Sequence, residues 1–318
     1  MDANLTPTAF YRDPQAALTW LDKAFGFEVA LLLTDATGAL AHAEMNFHGV
    51  RIGVGGEFAS DVLGPARMRS PQGLDGQGTQ FCRIALPKAV DLDAHCAAAR
   101  AAGATITQAP RDEFYGDRTY RALDLEGHVW TFTQTVRSVS PAEIEAETGL
   151  VYAVGREGHV AAPPEPPRSP VTSYVCYRDP AAAYDWLERA FGLEPRLYVT
   201  DDAGGLVHAE MTFQGATIGV SKGWTEHHAA PADIMGRNTQ TLHLQLSEDI
   251  DAHHDRAVAA GARVMRPLET QAYGDRTYVA WDLEGHLWSF GQTVSPMSTE
   301  QWDAELGTVT RLRPDLRS

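Results

Sequence analysis

The chain has 318 residues, of which 42 are acidic and 26 basic, for a net charge of −16. That charge repels phosphate backbones and anionic bilayer surfaces, which argues against nucleic acid and membrane as partners. Three scattered cysteines, Cys82, Cys96 and Cys176, form neither a disulfide framework nor a zinc site and are expected as free buried thiols. With no leader-like N-terminus and no apolar run of about 20 residues, a soluble cytoplasmic protein is expected.

In chain order, Thr8–Arg12 reads as a strand, and Asp13-Pro14 supplies an N-cap with proline at the first helical position. Ala17, Leu18, Leu21, Ala24 and Phe25 share one face of the helix that follows, and Gly26 ends it. Residues 28–34 and 39–47 form a hairpin around Asp35–Gly38, and Gly49 turns the chain into a strand at 50–54. The stretch 55–78 lacks periodicity and reads as a variable loop. A strand at 81–86, an Ala-rich helix at 91–102 stopped by Gly103, a strand at 104–108 and a hairpin from 118–123 to 128–134 complete a second β-α-β-β-β unit.

The pattern then recurs. Tyr11-Arg12-Asp13-Pro14 returns as Tyr177-Arg178-Asp179-Pro180, and His42-Ala43-Glu44-Met45 as His208-Ala209-Glu210-Met211. The stretch from Tyr115-Gly116-Asp117-Arg118 to Phe132 returns at 273–290. Self-similarity of this extent means tandem duplication. The expected domains are 5–136 and 171–294. Between them, 137–170 holds an acidic helix and a stiff Pro-rich linker, and 295–318 is a tail whose short helix should pack through Trp302 and Leu306.

These modules, the Asp-Pro helix ending in Ala-Phe-Gly, the His-Ala-Glu-Met strand, and Tyr-Gly-Asp-Arg with Asp-x-Glu-Gly-His-x-Trp-x-Phe resemble the vicinal oxygen chelate (VOC) superfamily. The nearest type is glyoxalase/bleomycin-resistance protein/dioxygenase, in its PhnB-like branch. The resemblance implies an α+β fold of tandem VOC domains. In each, two βαβββ modules form a cup-shaped half-barrel with helices on the convex side. It also implies a built-in pseudo-dimer that needs no further self-association. No sheet is expected to continue across residue 170.

Metal-dependent relatives carry His or Glu on cup strands, but Thr6–Arg12, Thr172–Arg178, Val50–Val54 and Ala216–Val220 contain neither. The last strands offer only Thr131 and Ser289. No cofactor and no metal are therefore expected. The alternative is an improvised set of His42 and Glu44 with His128, repeated as His208 and Glu210 with His286. His243, His227-His228 and His253-His254 read as loop or helix-surface residues.

The expected partner is a small, partly hydrophobic organic ligand in the cups. Candidate contacts are Tyr115, Asp117 and Arg118, with Tyr273, Asp275 and Arg276. Here an arginine fork meets an anionic or carbonyl group, or else pairs with an acid and stabilises a turn. Phe58 and Trp224, with Met68 and Met235, are apolar loop residues placed to cover a ligand. The competing readings are a VOC lyase or isomerase with His42/Glu44 and His208/Glu210 as acid-base or weak metal site, and a silent scaffold.

Overall fold

The computed structural model describes residues 5–57, 67–153 and 170–312. The first repeat runs β1 (Leu5–Tyr11), α1 (Pro14–Phe25), β2 (Glu28–Thr34), β3 (Leu40–Phe47), β4 (Val50–Gly56), β5 (Gln80–Ala85), α2 (Leu92–Ala101), β6 (Thr105–Asp112), β7 (Asp117–Leu123) and β8 (Val129–Thr135). Then come α3 (Pro141–Thr148) and β9 (Val151–Ala153). The second repeat runs β10 (Val171–Cys176), α4 (Pro180–Phe191), β11 (Glu194–Thr200), β12 (Leu206–Phe213), β13 (Ala216–Ser221), β14 (Gln240–Gln245), α5 (Ile250–Ala259), β15 (Arg263–Thr270), β16 (Asp275–Trp281) and β17 (Leu287–Thr293). The tail carries α6 (Thr299–Leu306) and β18 (Val309–Leu312).

Local chemistry sets these boundaries as the sequence implies. Asp13 accepts a hydrogen bond from the Ala16 amide, Pro14 opens α1, and Gly26 closes it in the left-handed region at φ 74°. The tandem βαβββ architecture is as expected. The way modules share sheets is not.

The described strands form two nine-stranded sheets, ordered β15-β16-β17-β14-β1-β4-β3-β2-β18 and β6-β7-β8-β5-β10-β13-β12-β11-β9. Each therefore joins the first module of one repeat to the second module of the other. β1 runs antiparallel to β14, and β10 antiparallel to β5, so sheet structure does continue across residue 170.

The physical reason lies on the helix side. The two modules of one repeat are held back to back by a common core. In the first repeat this takes Tyr11, Leu21, Phe25, Met45 and Val54 from one module and Ile84, Cys96, Tyr120, Trp130 and Phe132 from the other. Their strand edges therefore cannot meet, and each finds its partner in the other repeat.

A polar clasp reinforces each core. Tyr11 Oη donates to Asp124 at 2.7 Å, and the Arg12 and Asp13 amides donate to Glu126 at 2.8 and 3.1 Å. Tyr177 with Asp282, and Arg178 and Asp179 with Glu284, repeat it at 2.6, 2.8 and 3.0 Å. The duplicated Tyr-Arg-Asp-Pro and Asp-x-Glu-Gly-His motifs are thus the two halves of one clasp.

At the centre, the repeats meet through Thr79 and Thr239. Each backbone amide donates to the other's hydroxyl, at 3.0 and 3.2 Å. Strands β9 and β18 extend the two sheets beside β11 and β2. They are too short to show periodicity and the sequence does not announce them. Trp302 does anchor the tail, its indole N–H donating to the Tyr273 carbonyl at 3.1 Å, but Leu306 is exposed. The Pro-rich run lies, apart from Pro170, outside the described residues. Cys82, Cys96 and Cys176 are free and buried, and no described helix is long and apolar enough to cross a membrane.

Candidate functional site: two unlike cups

Side chains alternate across a strand, so those facing away from the cores line the cups. In the first cup, register aligns Glu44, Gly53, Thr8 and Thr241 in one row, and Thr6, His243, Ser289 and Val279 in the next. In the second, the equivalent rows are Glu210, Gly219, Tyr174 and Phe81, and Thr172, Arg83, Thr131 and Arg121. Equivalent strands thus present different chemistry.

The first cup is open and polar along its floor. Thr6, Thr8, Thr241, His243, Gln245 and Ser289 all remain partly exposed. Glu44 accepts from His42 Nε2 at 3.3 Å and pairs with Arg51 at 3.1 Å. Burial raises the Glu44 pKa, but the His42 hydrogen bond and the charges of His42 and Arg51 outweigh it and hold the carboxyl below its usual range.

His243 lies 3.0 Å from both Ser289 Oγ and Gln245 Oε1. The amide oxygen can only accept, so Nε2 carries the proton and Nδ1 accepts from the serine. Burial depresses the His243 pKa against the opposing pull of Gln245, Asp275 and Glu44, which keeps the imidazole neutral. One end of this cup is apolar, where Phe10, Val279, Trp281 and Leu287 pack against the loop residue Met68.

In the second cup the same positions satisfy one another. Glu210 is nearly buried and is held by Arg196 at 3.2 Å, Tyr174 at 3.1 Å and His208 at 3.4 Å. Arg83 is ion-paired with Asp117, which also accepts from Thr133 and Thr135 at 3.0 and 2.7 Å. Tyr174 stacks on Phe81 with centroids 4.8 Å apart, and Trp224 meets Phe81 edge-on at 5.0 Å. Gly219 makes room for the Tyr174 ring, because a Cβ there would collide with it. The first cup has only Thr8 over Gly53 at that place.

Several expected site residues are accordingly redistributed. His42 and Glu44 share a cup with Tyr273 and Asp275, whereas His208 and Glu210 share theirs with Tyr115, Asp117 and Trp224. Arg118 and Arg276 do not face the cups. They lie on the helix side, bound to Asp93 at 2.8 Å and to Asp251 at 2.6 and 3.0 Å, so the expected ligand role of the arginine fork is corrected to an ion pair with α2 or α5. Strand alternation requires this, since Arg118 has the parity of the core residues Tyr120 and Ala122.

The glycine of the same motif is structural. Gly116 and Gly274 have φ of 93° and 92°, and a Cβ would strike the carbonyls of Arg137 and Ser295. His128 and His286 lie at the clasp hairpins, where their amides donate to Asp124 and Asp282 at 3.0 and 2.9 Å, so they do not join His42 or His208. Met235 is 80% exposed and covers nothing. Phe58 lies outside the described residues.

Sequence reading missed His243, which belongs to the cup floor rather than to a loop or helix surface. It also missed His253, which is buried between Tyr278 Oη at 2.7 Å and the Phe191 carbonyl at 3.0 Å. Aligning His243 with Arg83 at the repeat offset, on a strand of alternating burial, was the available signal.

A VOC-type metal would need several imidazole or carboxylate donors converging on the cup floor. The floor of the first cup offers His42 and Glu44, bonded to each other, and His243, bonded to Ser289 and Gln245, among hydroxyls. Among the described residues no three His, Cys, Asp or Glu side chains are grouped to hold an ion. This donor set does not fit the metal of the family.

Two curved mixed sheets, with helices on their outer faces and paired βαβββ modules, define a vicinal oxygen chelate fold. The family model of the Glyoxalase/Bleomycin resistance protein/Dioxygenase superfamily matches residues 6–132 and 156–290, and the chain belongs to that superfamily. An uncharacterized protein of Mycobacterium bovis is 31% identical over 147 residues, 45% of this chain and 94% of its own length. Among solved structures, glyoxalase I of Zea mays aligns with TM-score 0.54 at 12% identity, covering 95% of this chain and 94% of its own. A putative dioxygenase of Bacillus subtilis aligns with TM-score 0.55 at 14% identity, covering 94% and 88%. At these identities the structures establish the fold.

Proposed function

We propose that this chain is a small-molecule-binding protein of the PhnB-like type, cytoplasmic and self-sufficient as an intramolecular pseudo-dimer. Its cups take a partly hydrophobic organic ligand without a resident metal. The observation that carries this reading is the contrast within the first cup. An accessible floor of His42, Glu44, His243, Gln245 and Ser289 adjoins an apolar end formed by Phe10, Trp281, Leu287 and Met68. Such a surface suits a ligand with one apolar and one hydrogen-bonding end.

The test is a thermal-shift screen of small aromatic compounds and aldehyde adducts, with and without chelator, alongside elemental analysis. A ligand at a hundredfold its Kd stabilises the folded state by about 2.7 kcal/mol. Stabilisation indifferent to chelator, with substoichiometric metal, supports the reading. One tightly held metal equivalent lost on His42→Ala or Glu44→Gln would replace it with a metalloenzyme.

A second reading is favoured by His243. A neutral imidazole hydrogen-bonded to Ser289, within electrostatic reach of Glu44 and Asp275, is suited to general-base work in a lyase or isomerase. Turnover of a bound aldehyde adduct, abolished by His243→Gln with binding retained, distinguishes it.

A further inference from the structure

The second cup is closed at its aromatic end, but its central row is not satisfied. Arg121, Thr131, Arg83 and Thr172 lie side by side across β7, β8, β5 and β10, where neighbouring strands are spaced by about 4.8 Å. Thr172 is 1% and Thr131 9% exposed, and neither buried hydroxyl has a hydrogen-bond partner among the described residues. The buried Arg121 Nε also has none. A buried polar group left unpaired costs free energy, and several side by side mark a place where something else completes them.

Charge identifies what that is. Arg83 is neutralised by Asp117, Arg196 by Glu210 and Arg111 by Glu113. Glu113 attracts Arg121 at longer range, but its Oε1 is already occupied by Gln108, Thr119 and Arg111 at 2.9, 3.0 and 2.9 Å. Arg121 therefore has no carboxylate within ion-pair distance among the described residues. The Trp224 ring covers its guanidinium at 5.8 Å, which dries the charge without neutralising it. Trp224 is itself half exposed at the mouth.

We propose that the second cup is a binding site for a small organic carboxylate. The carboxylate accepts from Arg121 and Thr131, which are neighbours across β7 and β8, and its planar apolar body lies against Trp224. The inference rests on the reading of the cups as ligand sites and extends it: the two repeats have diverged to take chemically different ligands, and this cup selects an anion.

Isothermal titration with benzoate, and with benzamide as its neutral counterpart, tests the proposal on the full chain. Loss of a charge-assisted hydrogen bond corresponds to at least a tenfold loss of affinity. Benzoate should thus bind at least tenfold more tightly than benzamide, and Arg121→Gln should remove that preference. Thr131→Val deletes a buried hydroxyl with no partner in the free protein among the described residues, so it should weaken benzoate while leaving the unliganded melting temperature unchanged or raised. A merely structural hydroxyl would show the opposite stability effect.

Equal binding of benzoate and benzamide, full affinity in Arg121→Gln, or no benzoate binding at all would overturn the proposal. If Thr8→Tyr in the first cup abolishes benzoate binding and Arg121→Gln does not, the carboxylate site is misplaced while the general ligand-binding reading stands. If no small molecule in the wider screen stabilises the protein, that reading has failed as well.

Discussion

The Tyr11 hydroxyl donates to the Asp124 carboxylate across 113 residues of chain, at 2.7 Å and out of contact with water. Asp124 also accepts from the Trp130 indole at 3.0 Å and from the Glu126 and His128 amides. One carboxylate thereby ties β1 to the β7-β8 hairpin of the opposite sheet. A hydrogen bond to a buried charged group is worth roughly 1.5–3 kcal/mol. Tyr11→Phe is predicted to lower stability by about that much in denaturant titration, and Tyr177→Phe to do the same in the second repeat.

Arg118→Ala and Arg276→Ala are predicted to leave ligand affinity unchanged and to lower the melting temperature only slightly. Their carboxylate partners Asp93 and Asp251 are exposed, and solvent screens such pairs. Ligand titration of the two variants is the check. A large affinity loss in either would return the arginine to the cup.

The fold was legible in the sequence because local chemistry and duplication coincide. Asp13-Pro14 with Gly26 delimits α1, and the second copy at Asp179-Pro180 and Gly192 confirms each landmark. What no local signal carries is partner choice between strands. β1 has one free edge, and nothing in Leu5–Tyr11 says that β14 rather than β5 will occupy it. The site was legible in proportion to how far repeat symmetry was followed. His42 and Glu44 stood out because the motif repeats intact, whereas His243 and Arg83 occupy equivalent positions with different residues. Motif recurrence favours the shared clasp over the divergent floor.

Stability should fall on acidification through two largely buried histidines. Burial depresses His253 to about 4 and His228 to about 3, below the ordinary 6.5. Between those values and 6.5 the unfolded chain binds more protons than the folded one. Stability is therefore full above about pH 6.5 and is lost as pH falls toward 4, with each unit of depression worth about 1.4 kcal/mol. Tyr278 Oη donates to His253 Nδ1, because Nε2 serves the Phe191 carbonyl, so protonation reverses that bond and puts a charge where burial disfavours it. Melting temperatures from pH 7.5 to 4.5 should decline in the wild type and less steeply in His253→Gln once its lower baseline is subtracted.

The first cup is proposed as the open ligand site, and Thr8→Tyr probes that assignment at the cup floor. Thr8 lies over Gly53 as Tyr174 lies over Gly219, so a tyrosine there would close that row of the first cup as Tyr174 closes the aromatic end of the second. The measurement is the ligand-induced thermal shift of wild type and Thr8→Tyr with the best neutral aromatic compound from the screen. The prediction is an unliganded melting temperature equal to or above that of the wild type, with the ligand shift abolished. A Thr8→Tyr protein that folds normally and keeps the full shift would contradict the assignment of the ligand to the first cup.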